Sequence, residues 1–125
     1  MRPKLQPEAA PSDAAIVAKA AARAADRLDI NNKTLARIIG VSEASITRMR
    51  KGAFPLDPRQ KPFELALLFV RLYRSLDAVA GGDEAVARNW LANENTALKA
   101  PPLDLIQTVA GLTNVIQYLD ARRAV

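Results

Sequence analysis

Hydrophobic residues along this 125-residue chain recur every three or four positions and never settle into single alternation, so the pattern predicts helices throughout and no strand. The first periodic stretch, 14–28, is alanine-rich, with Ile16, Ala20 and Ala24 on one stripe and Lys19, Arg23 and Arg27 on another; Ser12 or Asp13 can cap it. Leu35, Ile38 and Ile39 mark the inner face of a short helix capped by Asn31. Ile46 and Met49 turn a second short helix inward, from about Ser42 to Lys51, with Gly52 as its stop. The most apolar segment runs from Gln60 or Pro62 to about Val79 and carries Phe63, Leu65, Leu67, Leu68, Phe69, Val70, Leu72, Tyr73 and Leu76. One side of a helix cannot hold that much apolar surface, which predicts either the central post of a small domain or part of a homodimer interface. Gly81-Gly82-Asp83 breaks this helix and caps the next, Glu84 to Leu91, where Val86, Trp90 and Leu91 form an anchor cluster. After a loop from Asn93 to Pro102, a final helix from Leu103 to about Arg122 carries Leu105, Ile106, Val109, Leu112, Ile116 and Leu119, with Gly111 in its middle. A glycine inside a helix costs about 1 kcal/mol against alanine, so close packing or a partner must require the missing side chain.

Prolines at positions 3, 7 and 11 keep residues 1–11 out of any helix and predict a flexible arm. The proline-punctuated loop Phe54-Pro55-Leu56-Asp57-Pro58 separates two parts, 12–62 and 63–125. In the first part, two short helices hinged on Gly40, with Ser42 capping the second, form a helix-turn-helix unit. The second helix leaves Glu43, Ala44, Ser45, Thr47 and Arg48 facing outward, types that suit the major groove. Arg48 has the reach for bidentate bonding to guanine, Glu43 can accept from cytosine, Ala44 can touch a thymine methyl, and Ser45 and Thr47 can meet base or phosphate. Asn32, Lys33 and Ser42 near helix starts, with Arg50 and Lys51 at the end, are the candidate phosphate contacts. Such a unit spans few base pairs, so useful specificity demands a homodimer on half-sites about one helical turn apart.

The net charge of +5 is unevenly placed: residues 1–62 carry twelve Lys/Arg against six Asp/Glu, and residues 63–125 carry six against seven. The front can therefore face double-stranded DNA through counterion release while the rear meets another protein. The stripe Lys19, Arg23, Arg27 reads equally as a solvated face or as phosphate contacts. Cysteine and histidine are absent, which excludes disulfides, thiolate and imidazole metal sites, and nucleophile schemes built on either residue. No glycine-rich phosphate loop or paired carboxylates appear, so the chain reads as a non-enzyme with no cofactor and no catalytic or metal site. The N-terminus lacks a secretory apolar core and the longest apolar run is cut by Arg71 and Arg74, so the expectation is a cytoplasmic protein without membrane contact.

Asn89-Trp90-Leu91, then Asn93 and Asn95, then Pro101-Pro102-Leu103-Asp104-Leu105-Ile106, Gly111, Val115-Ile116 and Leu119 form a spaced string. It resembles the C-terminal toxin-binding domain of the Xre/MbcA/ParS-type antitoxins, here behind an Xre-like helix-turn-helix. Ala97-Leu98-Lys99-Ala100 lacks the glycines that members often carry in that loop. The resemblance implies an all-α bundle in which 12–62 is the DNA-binding domain and 63–125 the helical dimerisation and toxin-binding domain. It implies an antitoxin of a type II toxin-antitoxin system that covers the active site of a RES-domain, NAD-consuming toxin and represses its own operon. The matching toxin-binding positions are Gly111, Tyr118, Arg122, Arg123 and Val125. Arg122 and Arg123 are the charges placed to enter an anionic or phosphate-binding pocket, or else they only complement the helix dipole. Trp90 is either core or a binding hot spot. An ordinary dimeric helix-turn-helix repressor without a toxin partner is the competing reading.

Overall fold

The computed structural model describes residues 12–124. Within them lie seven helices and no strand: α1 (Asp13–Arg27), α2 (Asn32–Ile39), α3 (Glu43–Arg50), α4 (Lys61–Val79), α5 (Glu84–Ala92), α6 (Pro102–Leu105) and α7 (Val109–Arg123). The expected arm, 1–11, lies outside the described residues, as does Val125. No described helix is long and apolar enough to cross a membrane.

Local capping chemistry sets most of the boundaries. Ser12, Asn31, Ser42 and Asp83 each sit in extended backbone before a helix and accept a bond from an amide of its first turn, satisfying donors that otherwise have no partner. α2 ends at Gly40 in the left-handed region, φ 78°, with its amide donating to Ala36 O at 2.8 Å. That conformation turns the chain sharply enough to place the α3 cap, Ser42, two residues later.

The core runs along α4, which packs against α1 and α2 on one side and α7 on the other. Of the two expectations for this apolar helix, the central post describes its packing within the chain. Leu65, Ala66, Phe69, Leu72 and Leu76 are buried, while Leu67 stays exposed. α1 reaches α4 through small side chains: Ala14, Ala18, Ala21, Ala24 and Ala25 are buried. The expected Ile16-Ala20-Ala24 stripe is corrected accordingly, since Ile16 is 50% exposed and Ala20 lies at the margin. Alanine allows the close approach of two backbones that isoleucine would hold apart.

The single final helix of the sequence pattern is also corrected. The chain makes one turn, α6, breaks at Ile106–Thr108, and starts again as α7, with Thr108 as cap accepting from the Gly111 amide at 3.0 Å. Gly111 therefore belongs to the first turn of α7. A Cβ placed on it would lie 1.9 Å from Leu105 O and 2.7 Å from Leu105 C, so the α6–α7 corner closes only over a bare α-carbon. The loop before α6 is tied by Asn95, whose amide donates to Ala100 O at 3.2 Å and whose Oδ1 accepts from Leu98 N at 3.0 Å. Lys99 takes the left-handed φ of 66° there.

Candidate functional site

Two exposed surfaces lie on opposite halves of the chain. On the front half, α3 is two turns long and rests on Ile46 and Met49, both buried as expected. Glu43, Ala44, Thr47 and Arg48 point to solvent, and so do Lys33 and Lys51. Ser45 does not: it is 8% exposed, its hydroxyl accepting from Ser42 Oγ at 3.0 Å and from Arg48 Nη2 at 3.2 Å. The outward placement of Ser45 is corrected. It sits next to Ile46 on the inward side of the helix and braces both the cap and Arg48. Ser42 is likewise occupied in capping, accepting from the Ser45 amide at 3.0 Å.

Arg48 lies over Phe54, with its guanidinium carbon 5.8 Å from the ring centroid. That cation–π contact, together with the Ser45 bond, holds the arginine against α3 instead of leaving it to sample all rotamers. Arg50 takes a different course from the phosphate contact expected of it. Its Nε donates to Asn32 Oδ1 at 2.6 Å, its Nη2 to Ile30 O at 3.1 Å, and its Nη1 pairs with Asp26. One guanidinium thus joins the end of α3 to the end of α1 and the start of α2. Asn32 is drawn into the same cluster and donates to Thr47 Oγ1 at 3.4 Å. Beside this cluster, Lys19, Arg23 and Lys51 line a 760 Å³ groove between α1 and the end of α3, with Ile16 and Phe54 among its apolar walls. Arg27 is occupied elsewhere, 3.8 Å from Glu84 at the start of α5.

On the rear half, α7 is fastened to α4 by a polar cluster around buried Ser75. Its hydroxyl donates to Asp120 Oδ1 at 2.7 Å and accepts from Arg123 Nη1 at 3.1 Å, and Arg71 pairs with Asp120. The Ser75 bond, followed by the Arg71 charge, holds the Asp120 carboxyl below the ordinary carboxylate range. Arg123 is thereby turned back onto α4. Arg122 instead faces outward, donates to the Tyr118 hydroxyl at 2.8 Å and sits 5.7 Å from the Tyr118 ring centroid. Tyr118 stacks on Trp90, ring centroids 6.1 Å apart. Gly111, expected at the partner surface, owes its identity to the α6–α7 corner inside the chain.

The sequence reading missed the bracing by Arg50, Phe54 and Ser75. Arg50 lies 18 to 24 residues from its partners and Ser75 lies 45 from Asp120, so no local pattern announces either.

Comparison with known proteins fits this layout. The model of the antitoxin Xre-like helix-turn-helix domain matches residues 7–71, and that of the antitoxin Xre/MbcA/ParS C-terminal toxin-binding domain matches residues 75–124. The chain belongs to the Xre/MbcA/ParS-type antitoxin family. Among solved structures, it is similar to a chain in the crystal structure of the M. tuberculosis MbcT-MbcA toxin-antitoxin complex, with a TM-score of 0.66 at 20% identity, covering 87% of this chain and 95% of that one. No curated protein matches it. The two family matches meet inside α4, so this helix serves both domains.

Proposed function

We infer that the chain neutralises a RES-domain, NAD-consuming toxin by covering its active site, and that as a homodimer it represses its own operon through the helix-turn-helix. The observation that carries this reading is the tandem of the two matched domains, one directly behind the other. On DNA, Glu43, Ala44, Thr47 and Arg48 read base edges, while Lys33 and Lys51 meet phosphates and Lys19 and Arg23 widen the cationic face. Arg50, Asn32 and Ser42 keep α3 at its angle. On the toxin, Tyr118 and Arg122 supply the contact, and the arginine sets a fixed positive charge against an anionic group of the pocket.

The test is co-expression with the toxic product of the neighbouring reading frame, together with operator binding at several salt concentrations. The intact chain should restore growth and bind operator with affinity that falls steeply as salt rises. Removal of residues 122–125 should leave operator binding in place and weaken rescue. Failure of the intact chain to rescue overturns the antitoxin reading, full rescue by the truncated chain removes the tail from the mechanism, and loss of salt dependence removes the DNA role.

A further inference from the structure

Trp90 is the chain's single tryptophan, and it stands half-buried on the outer side of α5. One turn earlier, on the same side of the helix, Val86 is 49% exposed. Val86, Trp90, Asn89, Asn93, Glu94 and Asn95 line a shallow, open 310 Å³ hollow on which an apolar side chain can rest. From Trp90 the surface continues through the stacked Tyr118 ring to Arg122. Neither Glu94 at one end nor Arg122 at the other forms an ion pair among the described residues. Tryptophan, tyrosine and arginine are the types that dominate binding energy at protein interfaces, and a large apolar residue beside them raises the cost of leaving the patch wet.

We propose that the ridge Val86–Trp90–Tyr118–Arg122 is the anchor of the toxin contact. The toxin rests an apolar side chain on the hollow, sets a carboxylate against Arg122 and a cation against Glu94. The proposal rests on reading the chain as an antitoxin, and the whole ridge lies within residues 75–124, the span matched by the toxin-binding domain. Pairing with a second copy is the competing occupant, and the concentration dependence of the resonance separates the two.

Because Trp90 is unique, replacing it with 5-fluorotryptophan gives one fluorine resonance that reports on the ridge alone. The full-length labelled chain is titrated with the unlabelled product of the neighbouring reading frame, and complex formation is followed in parallel by size-exclusion chromatography. The expected result is a shifted resonance that saturates at stoichiometric toxin, with Val86→Asp and Arg122→Ala each weakening the complex at least tenfold. An aspartate at Val86 lies in the first turn of α5, where a negative charge favours the helix, so this variant folds. A complex that forms with the resonance unmoved, or with Val86→Asp binding as well as the parent, overturns the anchor while leaving the antitoxin reading intact. A parent chain that forms no complex overturns that reading and the anchor together. A resonance that moves with the chain's own concentration assigns the ridge to self-association and also overturns the proposal.

Discussion

The outward surface of α3 and the α5–α7 ridge solve the problem of presenting contact residues in opposite ways. On α3 the two polar groups Arg48 and Thr47 are steadied by hydrogen bonds: Ser45 holds Arg48, and Asn32, itself held by Arg50, holds Thr47. On the rear ridge the presented groups are rings held by stacking, with Arg122 laid along them. The difference suits the roles proposed for the two surfaces. A groove of DNA keeps its water and reads donors and acceptors, so the reader needs fixed polar geometry. A protein interface gains most by expelling water from apolar surface, so its anchor needs area.

The rear half depends on backbone fit at a single corner, and the largest expected effect lies there. Gly111→Ala drives a methyl into Leu105 O and should destabilise the fold by about 3 kcal/mol, measured by chemical denaturation. An unchanged midpoint would show that the α6–α7 corner yields, and the contrast between a rigid rear and a braced front would fail. In the front half, Arg50→Ala should lower stability by about 1–3 kcal/mol through loss of the α1–α2–α3 junction. Arg48→Ala, two residues away, should leave stability nearly unchanged while weakening operator binding by about 1–3 kcal/mol and relaxing preference at one base pair. Equal melting curves for the two variants would erase the distinction between bracing and reading arginines.

Asp120→Asn probes the rear fastening through pH. The folded carboxyl titrates below its ordinary value, so its contribution is complete above the ordinary carboxylate range and is lost as pH falls through the lowered value. The variant should therefore be less stable than the parent at neutral pH, and the gap should close in strong acid. Amide exchange should locate the loosening in α7 and leave α2 and α3 unchanged. The smallest effect belongs to Asp29, which ends α1 at a left-handed φ of 58°. Asp29→Gly relieves that conformation and should stabilise the chain by about 0.5 kcal/mol in thermal unfolding.

Helix starts were legible because capping is a local affair: Asn31, Ser42 and Asp83 stand in sequence where they stand in space. The front motif was legible for the same reason, its buried positions fixed by Leu35, Ile38, Ile39, Ile46 and Met49. The orientation of α1 was not, because an alanine-rich helix offers several equivalent stripes and the lone isoleucine at 16 pointed to the wrong one. The break before α7 was hidden because Leu105, Ile106, Val109 and Leu112 keep helical spacing straight across it. Ser45 was misplaced because a polar residue beside an inner face can turn either way, even though its partners Ser42 and Arg48 are local, and the bracing by Arg50 was hidden because its partners lie 18 to 24 residues away.

α4 gives both halves a common axle. Inserting one residue near its middle would swing everything beyond by about 100° around the helix axis, carrying the rear ridge away from its bearing relative to α3. The chain consequently has no swivel between its two faces: whatever sits on one is held at a fixed azimuth to whatever sits on the other.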